Sequence, residues 1–195
     1  LTDTLLKKEF DECRAQQKPH HILVENNLSH IIPFQHEEMD NWRNSLSGGL
    51  QVRFKDTNII LQGGVDDIWL NTKTDEIIIA DYKSQHSNYG VSQETYFKSF
   101  YHDGYKTQLD FYAYLLIGMG FKVSKDAYLY ICNAIEKDDG FHGKMHFEEV
   151  LIHYEVKTDY IDDHVQSMID TMNSENVPEA NENCAYARMR EQLEK

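Results

Sequence analysis

Apolar residues recur at helical spacing at the start of the chain, where Leu5, Leu6, Phe10 and Cys13 share one face behind a cap at Thr2 or Asp3. The stretch KPHHILVENN interrupts that pattern. HEEMDNWRNSL then predicts a second, shorter helix, with Met39, Trp42 and Leu46 on one side and Gly48 and Gly49 as its stop. From Leu50 the period shortens to two. LQVRF, NIILQGGVDDIWL and EIIIADYKS, separated by the turns KDTN and NTKTD, predict a three-stranded antiparallel meander. A polar and aromatic stretch from Gln85 to Gly104 leads into the helix YKTQLDFYAYLLIGMG, after which AYLYICNAI reads as a strand. A helix between two strands is the usual route to a parallel pair, so that strand is expected beside EIIIADYKS. HFEEVLIHYEV adds an edge strand, Ile161, Val165, Met168, Ile169 and Met172 mark an amphipathic helix, and CAYARMREQLEK closes as a short polar helix. The expected fold is α/β, a central mixed sheet made of an antiparallel meander plus a parallel strand, flanked by helices.

The length, 195 residues, suits a single domain spanning 1–195, and neither an internal repeat nor a Pro/Gly-rich linker divides it. No apolar run approaches the roughly 18 residues of a membrane span, and no signal-peptide pattern opens the chain, so a soluble cytoplasmic protein is expected. LTDTLLKKEF already reads as a formed helix and begins without Met, which points to sequence upstream. The net charge of -14 excludes a broad basic coat for nucleic acid and leaves room only for a local basic groove. Cys13, Cys132 and Cys184 are odd in number and widely spaced, which suits reduced thiols rather than a disulfide framework.

The chemistry concentrates on two neighbouring strands. Alternation in EIIIADYKS puts Asp81 and Lys83 on one face and Tyr82 on the other. Asp66 lies on the preceding strand, across a short turn, where register can bring its carboxylate close to Asp81. Two carboxylates with water make a hard-oxygen site suited to Mg²⁺ or Mn²⁺, and Lys83 stands ready to position water or stabilise charge on a phosphate. Asp-x-Lys alone is a common exposed strand pattern. Here it follows the buried run Ile77, Ile78 and Ile79 at a strand's C-terminal end, and Gly63 and Gly64 permit a bulge or close backbone approach beside Asp66.

On the helix from Tyr105, Gln108 and Tyr112 align with Leu115, Leu116 and Met119, so Gln108 falls on the apolar face. A buried amide needs partners: the strand carrying Asp81, water or phosphate at the site, or a purely structural helix-to-sheet bond. Asp67 is expected to face away from Asp66 on a regular strand, behind the site or at the surface. Lys106 is two residues from Gln108 and is a candidate phosphate contact, with a solvated helix-end lysine as the alternative. Between strand and helix, Tyr96, Phe97, Lys98, Phe100, Tyr101 and Tyr105 offer aromatic faces for unpaired bases, or simply for the core.

Gly64-Val65-Asp66, then Asp81-Tyr82-Lys83, then Gln108-Leu109-Asp110-Phe111-Tyr112 resemble the successive motifs of the RecB-like PD-(D/E)XK nucleases. The resemblance covers roughly residues 35–133, with the edge strand and helices of 146–195 beyond it. Within that family the chain is similar to small stand-alone nucleases of the AddB and CRISPR spacer-acquisition kind. The resemblance implies a restriction-endonuclease-like core in which Asp66, Asp81 and the Tyr82 main-chain carbonyl bind Mg²⁺ or Mn²⁺, Lys83 is catalytic, and Gln108 and Tyr112 line the substrate. It also implies an upstream histidine ligand, for which His36 is the best match, with His20, His21 and His30 as alternatives. Many such relatives carry an iron–sulfur cluster on one early and three late cysteines. NENCAYAR keeps only Cys184 of that pattern, with Asn181 in place of a cysteine, so no cluster is expected. The implied activity is metal-dependent hydrolysis of DNA, single-stranded or at duplex ends. The alternative is a catalytically silent module of the same fold that binds nucleic acid or assembles a complex; a merely structural protein leaves the inward Gln108 unexplained.

Overall fold

The computed structural model describes residues 1–137, 139–176, 178–180 and 184–193, and the chain forms two compact units, Leu1–Thr158 and Asp159–Lys195. The first begins with helix α1 (Thr2–Gln16), short helix α2 (His21–Glu25), strand β1 (Ile31–Pro33) and one turn of helix, α3 (Met39–Trp42). Strands β2 (Leu50–Arg53), β3 (Ile60–Gly63), β4 (Asp67–Asn71) and β5 (Glu76–His86) follow. Helix α4 (Gln93–Tyr96) and a 3-10 turn (Phe100–His102) lead into α5 (Asp103–Gly118), strand β6 (Val123–Ile135) and strand β7 (His146–Glu155). The second unit carries the two predicted helices, α6 (Ile161–Asn173) and α7 (Ala185–Leu193).

The five-stranded sheet runs β1-β4-β5-β6-β7, and within it only β5 and β6 are parallel. Strand β5 is central, which explains why its first half is apolar on both faces. Ile77 and Ile79 pack under α5 with Leu109, Ala113, Leu115, Leu129 and Ile131. Ile78, Ala80 and Tyr82 pack under α1 and α2 with Leu6, Phe10, Leu23 and Tyr130. Phe10 anchors that layer, stacked 5.3 Å from the Trp69 ring with Tyr130 edge-on at 6.0 Å. The mixed sheet flanked by helices and the parallel return through α5 follow the expected plan.

Several local expectations give way to packing. The meander is split: β2 and β3 form their own two-stranded sheet, and GGVD leaves β3 before β4 joins β1 and β5. Glycine makes the break feasible, because a Cβ on Gly64 would meet Ser45 at 2.6 Å and one on Gly63 the Tyr112 ring at 2.9 Å. Strand β1 and helix α2 both lie in segments without a legible period. Pro33 is tolerated because β1 is an edge strand, where a missing N–H costs no ladder bond. Leu46 is 95% exposed rather than packed with Met39 and Trp42, since α3 stops at Trp42. Helix α1 is capped at Leu1 with no side-chain cap bond, and it buries Leu6, Phe10 and Arg14 while leaving Leu5 exposed.

Candidate active site

Pairing between β4 and β5 ends at Asp67 opposite Ala80, and the next residues of β5 are Asp81, Tyr82 and Lys83. Asp66, in the bend just before β4, takes over as a side-chain partner: its Oδ2 accepts the Tyr82 N–H at 2.9 Å. The aspartate is therefore held by main-chain geometry rather than by a rotamer alone. Asp81, almost fully buried, faces the α5 side and forms an ion pair with Lys83. Its Oδ2 meets that ammonium without the angle of a hydrogen bond and has no other hydrogen-bond partner among the described residues. Burial, and then the Asp66 charge, push the Asp81 carboxyl up to about 6 against the opposing pull of Lys83.

Lys83 is clamped from α5. Its Nζ donates to Gln108 Oε1 at 3.2 Å and lies 4.7 Å above the Tyr105 ring, while Gln108 Nε2 donates to the Tyr112 hydroxyl at 2.8 Å. The inward amide thus bridges the lysine to Tyr112, whose hydroxyl is raised by burial although the Gln108 bond opposes this. Asp110 on the same helix accepts from the Tyr154 hydroxyl at 3.1 Å and from the Lys157 N–H at 2.7 Å, which fixes the rotation of α5 about its axis.

Two layers of basic residues were not legible as parts of this site. Lys7 of α1 reaches Asp66 Oδ1 at 3.0 Å and Asp3 at 2.9 Å. Burial alone would lower the Lys7 pKa, but bonds and charge from Asp3 and Asp66 outweigh it and raise it. Asp67 is fully buried, facing away from Asp66 as expected and never reaching the surface. It is held by Arg14, by Arg43 at 3.1 Å and by the Tyr82 hydroxyl at 2.7 Å. Arg43 also donates to the Asp66 carbonyl at 3.0 Å, so the buried cluster fixes the backbone beneath the carboxylate. The only trace in the sequence is the spacing Asp3, Lys7, Asp11 and Arg14 on one helix edge, which does not say what that edge will meet.

Other candidates lie elsewhere. His36 sits in an aromatic cluster, stacked 4.3 Å from Trp42 with Phe121 edge-on at 5.7 Å, and its Nδ1 accepts the Glu38 N–H. Among the described residues no histidine forms a set with Asp66 and Asp81 whose ligand atoms lie mutually within 4.8 Å, so neither His36 nor its alternatives His20, His21 and His30 is brought to both carboxylates. Stacking on Trp42 holds the ring away more strongly than a polar segment suggests. Lys106 pairs with Asp103 at 2.7 Å. Tyr96 is core, whereas Phe100 and Tyr101 are 84% and 88% exposed on the 3-10 turn before α5. The cysteines are free thiols, with Cys132 raised to about 11 by burial and then by Glu149, and Asn181 lies outside the described residues.

The donor set fits a hard divalent cation. Asp66 and Asp81 supply carboxylate oxygens close enough for one to raise the other, Asp81 Oδ2 has no hydrogen-bond partner among the described residues, and the Tyr82 carbonyl adds a neutral oxygen on the same stretch. No helix among the described residues is long and apolar enough to cross a membrane. In comparisons with known proteins, the model of the PD-(D/E)XK nuclease superfamily matches residues 2–190. No curated protein and no solved structure gave a significant match.

Proposed function

The chain belongs to the PD-(D/E)XK nuclease superfamily, whose members are mostly nucleases using divalent metals such as Mg²⁺ or Mn²⁺, and from that premise we propose a metal-dependent deoxyribonuclease. The observation that carries the reading is the pair of adjacent carboxylates, Asp66 and Asp81, beside a clamped Lys83. Asp66, Asp81 and the Tyr82 carbonyl would hold Mg²⁺ or Mn²⁺. A bound cation there supplies a lowered pKa for water and neutralises charge on the scissile phosphate.

The remaining roles fall to the chain itself. Lys83, paired with Asp81, presents its ammonium to the phosphate oxygen that gains charge as the phosphodiester is hydrolysed. Gln108 holds the lysine and is in turn oriented by Tyr112, so the ammonium is placed before substrate arrives. Lys106, at the first turn of α5, supplies a phosphate contact, and the exposed Phe100 and Tyr101 give faces on which unpaired bases stack. Those faces favour single-stranded DNA or duplex ends. With its QxxxY helix the protein is read as RecB-like, acting in the cytoplasm on DNA in repair or recombination.

A second reading is a catalytically silent member that binds nucleic acid or assembles a complex. The Lys7 ammonium against Asp66 favours it, because that contact must yield before a cation takes both oxygens. Labelled single-stranded DNA, duplex DNA and RNA incubated with Mn²⁺ separate the two. Cleavage of DNA that is lost in Asp81→Ala and Lys83→Ala is the expected result. Cleavage surviving both substitutions would remove the mechanism, and binding of DNA without cleavage or metal uptake would establish the silent module.

A further inference from the structure

On the opposite face of the sheet from Asp81, α1, the start of α2 and β7 converge on a second group of ligating side chains. Glu9, His20 and His21 each direct one ligand atom into a space where those atoms lie within 4.8 Å of one another. His20 Nε2 is 3.3 Å from Glu9 Oε2, and His21 Nε2 is 3.1 Å from Glu149 Oε2. Adjacent residues usually point apart. Here His20 is the extended N-cap of α2 and His21 its first helical residue, which turns the two rings to one side with centroids 4.2 Å apart. Glu149 pairs across β6 and β7 with Cys132, and that register puts its side chain on the α1 face.

A separate observation points to the same place. The Tyr130 side chain is fully buried, and its hydroxyl lies against the Glu149 carboxylate, which acts on it both by charge and as a hydrogen-bond acceptor. The Glu9 carboxylate also acts on that hydroxyl, more weakly, and the His20 ring lies edge-on to Tyr130 at 6.0 Å. The three ligand atoms of Glu9, His20 and His21, with the Glu149 carboxylate 3.1 Å from His21 as the adjoining fourth donor, make a set unlike the all-oxygen site around Asp66. We propose that Glu9, His20, His21 and Glu149 form a structural site for a borderline transition-metal ion of the Zn²⁺ class, tying α1 and α2 to β7.

The chemistry selects that class. Imidazole nitrogens are poor ligands for Mg²⁺ and good ones for Zn²⁺, and two nitrogens with two oxygens complete a tetrahedral shell. A divalent ion between two carboxylates is also neutral as a unit, which lowers the cost of holding charge against the buried Phe10 and Tyr130. His20 Nδ1 accepts the Ile22 N–H at 3.4 Å, a long bond that the ring gives up when Nε2 takes the ion and the proton moves to Nδ1. Glu9, His21 and Glu149 are solvent-exposed, so the ion has a route in.

The test uses the full chain carrying Asp81→Asn, which disables the nuclease carboxylate pair, titrated calorimetrically with Zn²⁺ and, in parallel, with Co²⁺ for the visible spectrum of a four-coordinate ion. One equivalent of Zn²⁺ should bind and raise the melting temperature, as any ligand selective for the folded state does. His21→Ala and Glu149→Gln, both at exposed positions, should each weaken binding by more than about tenfold, since losing even an outer-shell partner costs about that much. The Co²⁺ spectrum should disappear with them, while Mn²⁺-dependent cleavage by the same substitutions in the otherwise unaltered chain stays as it was. Failure of the Asp81→Asn protein to take up Zn²⁺, or equal uptake by the His21 and Glu149 variants, would overturn the proposal, leaving Glu9–His20 and His21–Glu149 as plain ion pairs. Neither result bears on DNA cleavage, so the two readings fail separately.

Discussion

Asp81→Asn should make the metal-free protein more stable at neutral pH, although it removes half of an ion pair. The buried carboxyl is raised from 3.8 to about 6, by burial first and by Asp66 second, so ionising it costs more in the folded chain than in the unfolded one. At about 1.36 kcal/mol per pK step this amounts to about 3 kcal/mol. Between pH 3.8 and about 6 the folded state binds the extra proton, so this contribution to stability falls as pH rises through that window and stays at its low value above it. The asparagine side chain resembles the protonated acid in shape and carries no charge. The variant should therefore match the parent near pH 4 and exceed it at pH 8 by up to about 3 kcal/mol, a figure that already nets the attraction of Lys83. Urea unfolding of both proteins from pH 4 to pH 8 in EDTA measures the difference, because the carboxylates remote from Asp81 cancel in the comparison and only its neighbour Asp66 responds with it. Adding Mg²⁺ or Mn²⁺ should erase the variant's advantage, since a cation favours the ionised parent and has lost a ligand in the variant. An Asp81→Asn protein no more stable than the parent at pH 8, or an advantage that grows towards acid, would refute the reasoning.

The remaining outcomes concern the groups around that pair. Lys7→Met should tighten Mn²⁺ binding by up to about fivefold, the worth of a partly exposed ion pair, and calorimetry showing weaker binding would mean that Lys7 supports the site rather than competing for Asp66. Asp67→Ala should cost about 3–5 kcal/mol in chemical denaturation by stranding Arg14, Arg43 and the Tyr82 hydroxyl. A loss under about 1 kcal/mol would show that the cluster is wetter than its full burial indicates. Phe100→Ala and Tyr101→Ala should leave the melting temperature unchanged, given their exposure, yet each weaken single-stranded DNA binding by about 1–3 kcal/mol in fluorescence anisotropy. Unaltered affinity in both would assign the stacking role elsewhere.

What the residues alone determine here is whatever a local period carries. Two-residue alternation put Asp81 and Lys83 together and Tyr82 opposite, four-residue spacing aligned Gln108 with Tyr112, and a helix between strands implied the parallel β5–β6 pair. Each rests on backbone geometry within one element or one crossover, so reading it needs no knowledge of neighbours. Tertiary structure decided the rest. Lys7 is 59 positions from Asp66 and Arg14 is 53 from Asp67, and only the docking of α1 through Leu6 and Phe10 brings them near. His36 was drawn against the Trp42 and Phe121 rings by stacking that no polar segment announces. The double glycine was visible, yet its effect, parting β3 from β4 and leaving Asp66 in a bend, depended on Ser45 and Tyr112 pressing on backbone that has no side chain to resist them. Periodicity is a property of the chain, whereas the partner met by each face depends on which packing buries the most apolar surface while satisfying the polar groups it traps.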